Sequence, residues 1–368
     1  MIGLKEKMPE FVNLLQHVGS VGFVGMGGIG KSTFAVALSD HISDQFDATV
    51  FVNAFKHESC TFAVKYKLQS AKTLPETKTL MEGREILTQL QRTQKVLIVV
   101  DNIGKASQLE VLLGNHGFQD GHGSNLIATS RDWKSLEAYV PMDGIVDVKI
   151  LDGQQSLELF SMHANFTTDQ PCLPYLTYVV KGIVNACDGL PLSLEVMGSS
   201  LNGEKRLRIW ERRLQRLLRA RHDGSGDHKI WNTLRISFDE LNGREKNMFL
   251  DISCFFCKDS WIGRLQYTKD TVLRCFDDDD DDDDGIIERT FERLQDKSLL
   301  KVDEYGGLEM HDQLRDMGRM IVDKEYQGSR IWDFPSSAFI HYCNQKVCGT
   351  QMNVLNNHYE DMTCKPKL

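Results

Sequence analysis

The sequence predicts an α/β domain with a doubly wound parallel sheet, followed by chain that is mostly helical. Three observations carry that prediction. Short aliphatic runs, of which VLIVV at 96–100 is the longest, read as strands buried on both faces. The first such run, SVGFVG at 20–25, passes through a cluster of glycines into the helix-spaced STFAVALSDHI at 32–42. Beyond about 146, QQSLELFSMHA and LRIWERRLQRLLRARH carry only helical apolar spacing.

The junction between the first strand and helix is chemically specific. GFVGMGGIGKST at 22–33 satisfies two phosphate-binding patterns at once. Gly25, Gly27 and Gly30 spell G-x-G-x-x-G, the dinucleotide fingerprint, while Gly25, Gly30, Lys31 and Ser32 spell G-x-x-x-x-G-K-S, the P-loop. The dinucleotide reading requires an acid at the C-terminal end of the second strand, to hold ribose hydroxyls. That strand, ATVFVNAF at 48–55, carries Asn53 there, and Asp47 lies before its start. The P-loop reading requires a strand-end acid near magnesium, and KVLIVVDN at 95–102 supplies Asp101.

The candidate nucleotide contacts are therefore Gly25, Gly27, Gly28, Ile29, Gly30, Lys31, Ser32 and Thr33. Lys31 puts an ammonium where β- and γ-phosphates sit, and the loop amides and helix N-terminus face the same anion. Ser32 and Asp101 are the candidate Mg²⁺ ligands. A further strand, GSNLIATSRD at 123–132, leaves Arg131 at the C-terminal edge of the sheet, near the γ-phosphate.

Farther along, LTYVVKGIVNACDGLPLSLEVMGSSL reads as two helices. Gly189 is the left-handed cap of the first, and Pro191 takes the first position of the second. RHDGSGDH at 221–228 is a linker. SLLKVDEYGGLEMHD at 298–312 reads as a hairpin with Gly306 and Gly307 in its turn. His311 then ends the strand, and Asp312 caps the helix QLRDMGRMIVDKE.

Composition limits the partners. Hydrophobic residues make up 41% of the 368, and charged residues 26%, as in ordinary globular domains. The formal charge of -9 is nearly all one feature, the eight consecutive aspartates Asp277–Asp284, without which 44 acidic residues face 43 basic ones. No basic surplus points to nucleic acid, and no stretch points to a membrane or a secretory leader. Nine cysteines without framework spacing suit a reducing compartment, cytoplasmic or nuclear. Cys254 and Cys257 form a C-x-x-C inside the apolar MFLDISCFFC, which reads as core thiols.

Seven segments in order resemble the nucleotide-binding (NB-ARC) module of plant disease-resistance proteins, in the class with a TIR domain in front and leucine-rich repeats behind. They are GMGGIGKST, KVLIVVDN, GSNLIATSRD, LELFSMHA, CDGLPLSLEVMGSSL, LRISFDELNGREKNMFLDISCFF and LEMHD. The resemblance implies a P-loop NTPase domain at 1–145, a helical domain at 146–220, a winged-helix domain at 229–343 and an irregular tail at 344–368. It further implies an ADP/ATP-binding switch of the STAND type in plant immune signalling. Adenine nucleotide and Mg²⁺ would be its ligands, and signalling or sensor proteins its partners. By the same resemblance Pro191 lies against the base, and His311 reaches the β-phosphate of ADP from the winged-helix side, closing the resting state.

The sequence departs from that family in three ways. The second Walker-B position is Asn102, an amide where an acid is usual, so at most a slow ATPase is expected. Asp277–Asp284 interrupts the winged-helix region, and eight like charges predict a solvated loop. Finally, some twenty residues precede the P-loop and 344–368 has no leucine-rich period, so TIR and repeat parts are expected to be lacking. Two other functions compete, a hydrolytic P-loop ATPase and a winged-helix nucleic-acid binder. The first lacks a water-activating acid at Asn102. The second would rely on IIERTFERLQDKS, whose charges balance and which follows eight aspartates.

Overall fold

The computed structural model describes residues 2–4, 6–54, 60–66, 80–114, 123–165, 174–222, 227–256, 267–276, 285–303 and 306–326. The Asp277–Asp284 run, Cys257 and the 344–368 tail lie outside the described residues.

The first part is a six-stranded sheet in the order β3-β2-β4-β5-β1-β6. Its strands are β1 (Ser20–Val24), β2 (Ala48–Ala54), β3 (Cys60–Tyr66), β4 (Val96–Ile103), β5 (Asn125–Ser130) and β6 (Ile145–Asp147). Five are parallel, as expected, but β3 pairs antiparallel with β2 at the edge. The sequence reading contained neither β3 nor β6. β6 is three residues long, below the span at which periodicity speaks, and the domain boundary drawn at 145 falls inside it.

The two faces of β4 explain its unbroken aliphatic run. Leu97 and Val99 join the core shared with α1 (Met8–Val18) and α2 (Lys31–Ile42). Val96, Ile98 and Val100 face the opposite core, with Leu87 of α3 (Leu80–Gln91) and Leu109 and Leu112 of α4 (Ala106–Leu113). Helices on both faces make the sheet doubly wound. Phe11 of α1 meets Phe23 of β1 edge-on, with ring centroids 5.2 Å apart, which seats α1 under the strand that feeds the P-loop.

The second part packs α5 (Gly153–Ala164), α6 (Pro174–Ala186), α7 (Pro191–Ser200) and α8 (Leu207–His222). α5 starts with a capping box in which Asp152 accepts from the Gln154 and Gln155 amides. Gly189 takes the left-handed conformation that the sequence predicts, at φ +67°. Its carbonyl accepts from Leu151 N at 2.9 Å, and any Cβ there would collide with the Leu151 carbonyl. The α6–α7 corner is thus bonded to the segment leaving the sheet. Pro191 is at the first turn of α7, as expected.

The third part comprises α9 (Asp227–Asp239), α10 (Gly243–Asp251), a π-helical turn (Ile252–Phe256), α11 (Lys269–Phe276), α12 (Ile286–Asp296), the hairpin β7 (Lys301–Val302) and β8 (Leu308–Glu309), and α13 (Asp312–Glu325). α8 runs to His222 and α9 begins at Asp227, so helix takes both ends of what reads as linker at 221–228. Gly306, at φ +81°, turns the hairpin as predicted. One apolar cluster runs from Phe11 and Phe23 through Phe160, Leu194 and Trp210 to Phe249, Phe291 and Ile321, so the three parts share a core. Cys254 is a buried thiol within it.

Candidate functional site

The P-loop sits where β1 ends and α2 begins, at the C-terminal edge of the parallel strands. Gly28 at φ +77° and Gly30 at φ +98° hold the left-handed geometry that lets successive loop amides turn to one side. Leu192 N, in the first turn of α7, donates to the Gly28 carbonyl at 3.2 Å, so the helical part is bonded to the loop. From the third part, the N-terminus of α13 closes over the same loop. Between them lies a cavity of about 320 Å³.

Its walls contain most of the sequence-predicted residues. Gly27, Gly28, Gly30, Lys31, Ser32 and Thr33 line one side, with Asp101, Asn102 and Arg131 from the ends of β4 and β5. His311 and Asp312 line the other, together with Leu192, which the sequence reading did not single out. Gly25 and Ile29 shape the loop from below, Ile29 being packed in the core. Pro191 begins α7 one residue before Leu192 and does not line the cavity.

The polar groups are ordered into two sets. At the strand ends, Ser32 Oγ donates to Asp101 Oδ1 at 2.8 Å, and Thr129 Oγ1 donates to the same oxygen. Thr129 also accepts the Asn102 amide at 2.9 Å, which holds Asn102 in its left-handed conformation at φ +62°. Asn53 pairs with Asp101 in register across β2 and β4, and its buried Oδ1 has no hydrogen-bond partner among the described residues. Ser32, Asp101 and Asn53 make a cluster of hard oxygen donors of the kind that suits Mg²⁺. Lys31 Nζ donates to the Met26 carbonyl at 2.9 Å. Burial, and secondarily the Arg131 guanidinium, push the Lys31 pKa down to about 8 against the pull of Asp101 and Asp312. The negative charge around the ammonium does not offset the cost of its burial.

The second set belongs to α13, and here one expectation is corrected. Asp312 is not the N-cap; His311 is, its Nδ1 accepting from Gln313 N at 3.1 Å. That bond leaves the Nδ1 lone pair occupied and the ring hydrogen on Nε2, so the imidazole is a neutral donor. The His311 side chain is exposed toward the cavity, and partial removal from bulk water pushes its pKa down against the pull of Asp312. Asp312 is freed for side-chain work instead. Its Oδ1 pairs with Arg315 Nη1 at 3.1 Å, and its Oδ2 accepts from Asn102 Nδ2 at 3.0 Å and lies 4.0 Å from Arg131 Nη2.

Asp312 thus ties the winged-helix part to the Walker-B strand through Asn102. An aspartate at 102 would set two carboxylates against each other at that contact. Asn102→Asp should therefore loosen α13 from the sheet, raising amide exchange across 308–316. Exchange equal to the parent's would remove Asn102 from the closure.

A glycine-rich loop between β1 and α2, a buried lysine and strand-end oxygens gathered at one cavity define a P-loop module of the nucleotide-binding kind. Comparison with known proteins finds relatives: residues 4–170 match the NB-ARC domain family, and residues 282–326 match the disease resistance protein Roq1-like winged-helix domain family. The chain is 30% identical over 349 residues to TMV resistance protein N of Nicotiana glutinosa, covering 90% of this chain and 28% of that protein. It is 29% identical over 350 residues to disease resistance protein RPV1 of Vitis rotundifolia, covering 90% and 23%. The chain therefore spans about a quarter of the length of these relatives. Among solved structures, a Signal Transduction ATPase with Numerous Domains (STAND) protein with a tetratricopeptide repeat sensor, from Pyrococcus horikoshii, matches the fold. That match has TM-score 0.51 at 14% identity, over 88% of this chain and 43% of that one. No helix among the described residues is long and apolar enough to cross a membrane.

Proposed function

We propose that the chain is the nucleotide-operated switch of a plant defence protein, held closed by ADP gripped from two sides. The observation that carries this reading is the cavity itself, with Lys31 on one wall and the His311 imidazole on the other. Lys31 and the loop amides hold the diphosphate from the sheet side. The His311 Nε2–H, a donor at neutral pH, holds it from the winged-helix side, so the bound anion joins the parts. Ser32 and Asp101 would hold Mg²⁺, with Asn53 beside them, and the ion would supply charge neutralisation to the phosphate oxygens. Leu192, rather than Pro191, offers the apolar surface for the base.

A third phosphate would draw Arg131 toward itself and bring negative charge against Asp312. That differential cost favours the diphosphate in the closed form and the triphosphate in an open one. Asn102 cannot accept a proton at neutral pH, and its amide is committed to Asp312, so any turnover is slow. By kinship with the resistance proteins, the opened winged-helix part would signal to protein partners, inside the cell, without nucleic acid or membrane.

The test is amide exchange with and without ADP. Protection should appear together in 25–33 and in 308–316; protection confined to the P-loop would contradict the two-sided grip.

Lys31 adds a pH dependence. Its pKa of about 8 in the free protein must rise when phosphates neutralise it. Above pH 8 the free protein has lost a proton that the complex retains, so binding takes up a proton. ADP affinity is then flat below pH 8 and falls above it, by up to about tenfold per unit. Titration calorimetry in two buffers of different ionisation enthalpy at pH 8.5 should reveal that uptake, and buffer-independent heats would refute it.

A further inference from the structure

Gln313 is the least expected residue at the phosphate loop. It sits in the first turn of α13, is 4% exposed, and neither binds its helix neighbours through its side chain nor points to solvent. Its amide lies directly over Gly27: the space a Cβ on Gly27 would need is filled by Gln313 Nε2, Cδ and Cγ. The rest of the loop leaves no such intruder from the winged-helix part.

The orientation of that amide is fixed by its neighbour. Trp231 Nε1, on α9, is 2.8 Å from Gln313 Oε1. An indole N–H can only donate, so the oxygen must face Trp231 and the NH₂ must face Gly27. Nε2 has no hydrogen-bond partner among the described residues, although the side chain is more than nine-tenths buried. Buried amides are normally satisfied, so an open donor held in place by an indole invites an acceptor.

The end of the loop it covers is the lysine end. The Lys31 ammonium is anchored on the Met26 carbonyl, the residue just before Gly27. In a P-loop that ammonium serves the β- and γ-phosphates, so Gln313 stands at the terminal-phosphate end of the cradle.

Accepting the nucleotide-switch reading, we infer that Gln313 is a specificity-determining residue that favours a nucleoside diphosphate over a triphosphate. Beside Gly27 its amide offers a hydrogen bond to the outer phosphate of a diphosphate. A third phosphate needs the space the side chain fills, and displacing it breaks the bond from Trp231. The winged-helix part thus senses phosphate number through Gln313, in addition to its grip through His311.

The experiment compares dissociation constants for ADP and for a non-hydrolysable ATP analogue in the full chain, by calorimetry, across four proteins. The parent should prefer ADP. Gln313→Ala, which clears the space, should shrink that preference at least fivefold, mainly by tightening the triphosphate. Trp231→Phe keeps the ring and removes the donor, so it should shift the ratio the same way by less, in a protein whose α13 side chains are untouched. Gln313→Glu should weaken both nucleotides, the triphosphate more. A merely structural role would change both affinities together, and an unchanged ratio in Gln313→Ala and Trp231→Phe overturns the inference while leaving the switch intact. A parent chain that binds neither nucleotide overturns the proposed function, and this inference with it.

Discussion

Lys31→Ala is expected to weaken nucleotide binding strongly without unfolding the protein. The ammonium is the one cation anchored inside the loop, held on the Met26 carbonyl at 2.9 Å. Removing one member of a desolvated charge pair costs about 2–5 kcal/mol, a loss of roughly 30- to several-thousand-fold in ADP affinity. The free protein should not suffer. A lysine whose pKa falls from 10.5 to about 8 on folding binds fewer protons in the native state than in the unfolded one between those values. Its charge therefore opposes folding at neutral pH, and the opposition disappears only as pH rises through about 8 toward 10.5. The melting temperature of nucleotide-free Lys31→Ala should match or exceed that of the nucleotide-free parent. A variant that melts lower, or still binds ADP within threefold, would contradict the role given to Lys31.

His311→Ala separates the two walls of the site. The variant loses the donor to the phosphate and also the cap on the Gln313 amide. A hydrogen bond to a charged group contributes about 1.5–3 kcal/mol, and an N-cap about 1 kcal/mol. ADP should dissociate roughly 10- to 100-fold faster, and exchange protection should fade in 308–316 while persisting in 25–33. His311→Asn restores a capping oxygen and an N–H donor, so it should recover part of both. Unchanged ADP retention in His311→Ala would leave the winged-helix part without a hand on the ligand.

How much of this was legible in the sequence depends on whether a residue acts locally or across the fold. The P-loop, Asp101 and Arg131 were readable because their chemistry is written in strand-loop-helix order, and the sheet brings the strand ends together. Gly189, Gly306 and the bounds of α8 were readable because caps, turns and apolar spacing are local. β6 was not, since three residues carry no period, and the antiparallel β3 was not, since nothing in CTFAVKY states its direction. The N-cap was misassigned by one position. Asp is the commoner cap, but Asp312 is drawn off by Arg315, Asn102 and Arg131, and the histidine takes its place.

The contacts of Asn102 show the limit most clearly. In sequence it is a missing acid, an absence that speaks only to hydrolysis. In the fold it is a hydrogen-bond donor to a residue 210 positions away, and no spacing rule connects the two. Thr129, which holds Asp101 and the Asn102 amide, was hidden in the same way. A polar residue near the end of a buried strand is a signal, yet only the β4–β5 register says what it faces.

The most direct measurement is the simplest. The purified chain is denatured without prior exposure to nucleotide, and the released small molecules are separated and quantified. The two-sided grip predicts close to one ADP per chain, with little ATP, and a reduced yield from His311→Ala. A chain that emerges empty and fails to take up ADP when supplied with it and Mg²⁺ would contradict the account at its base.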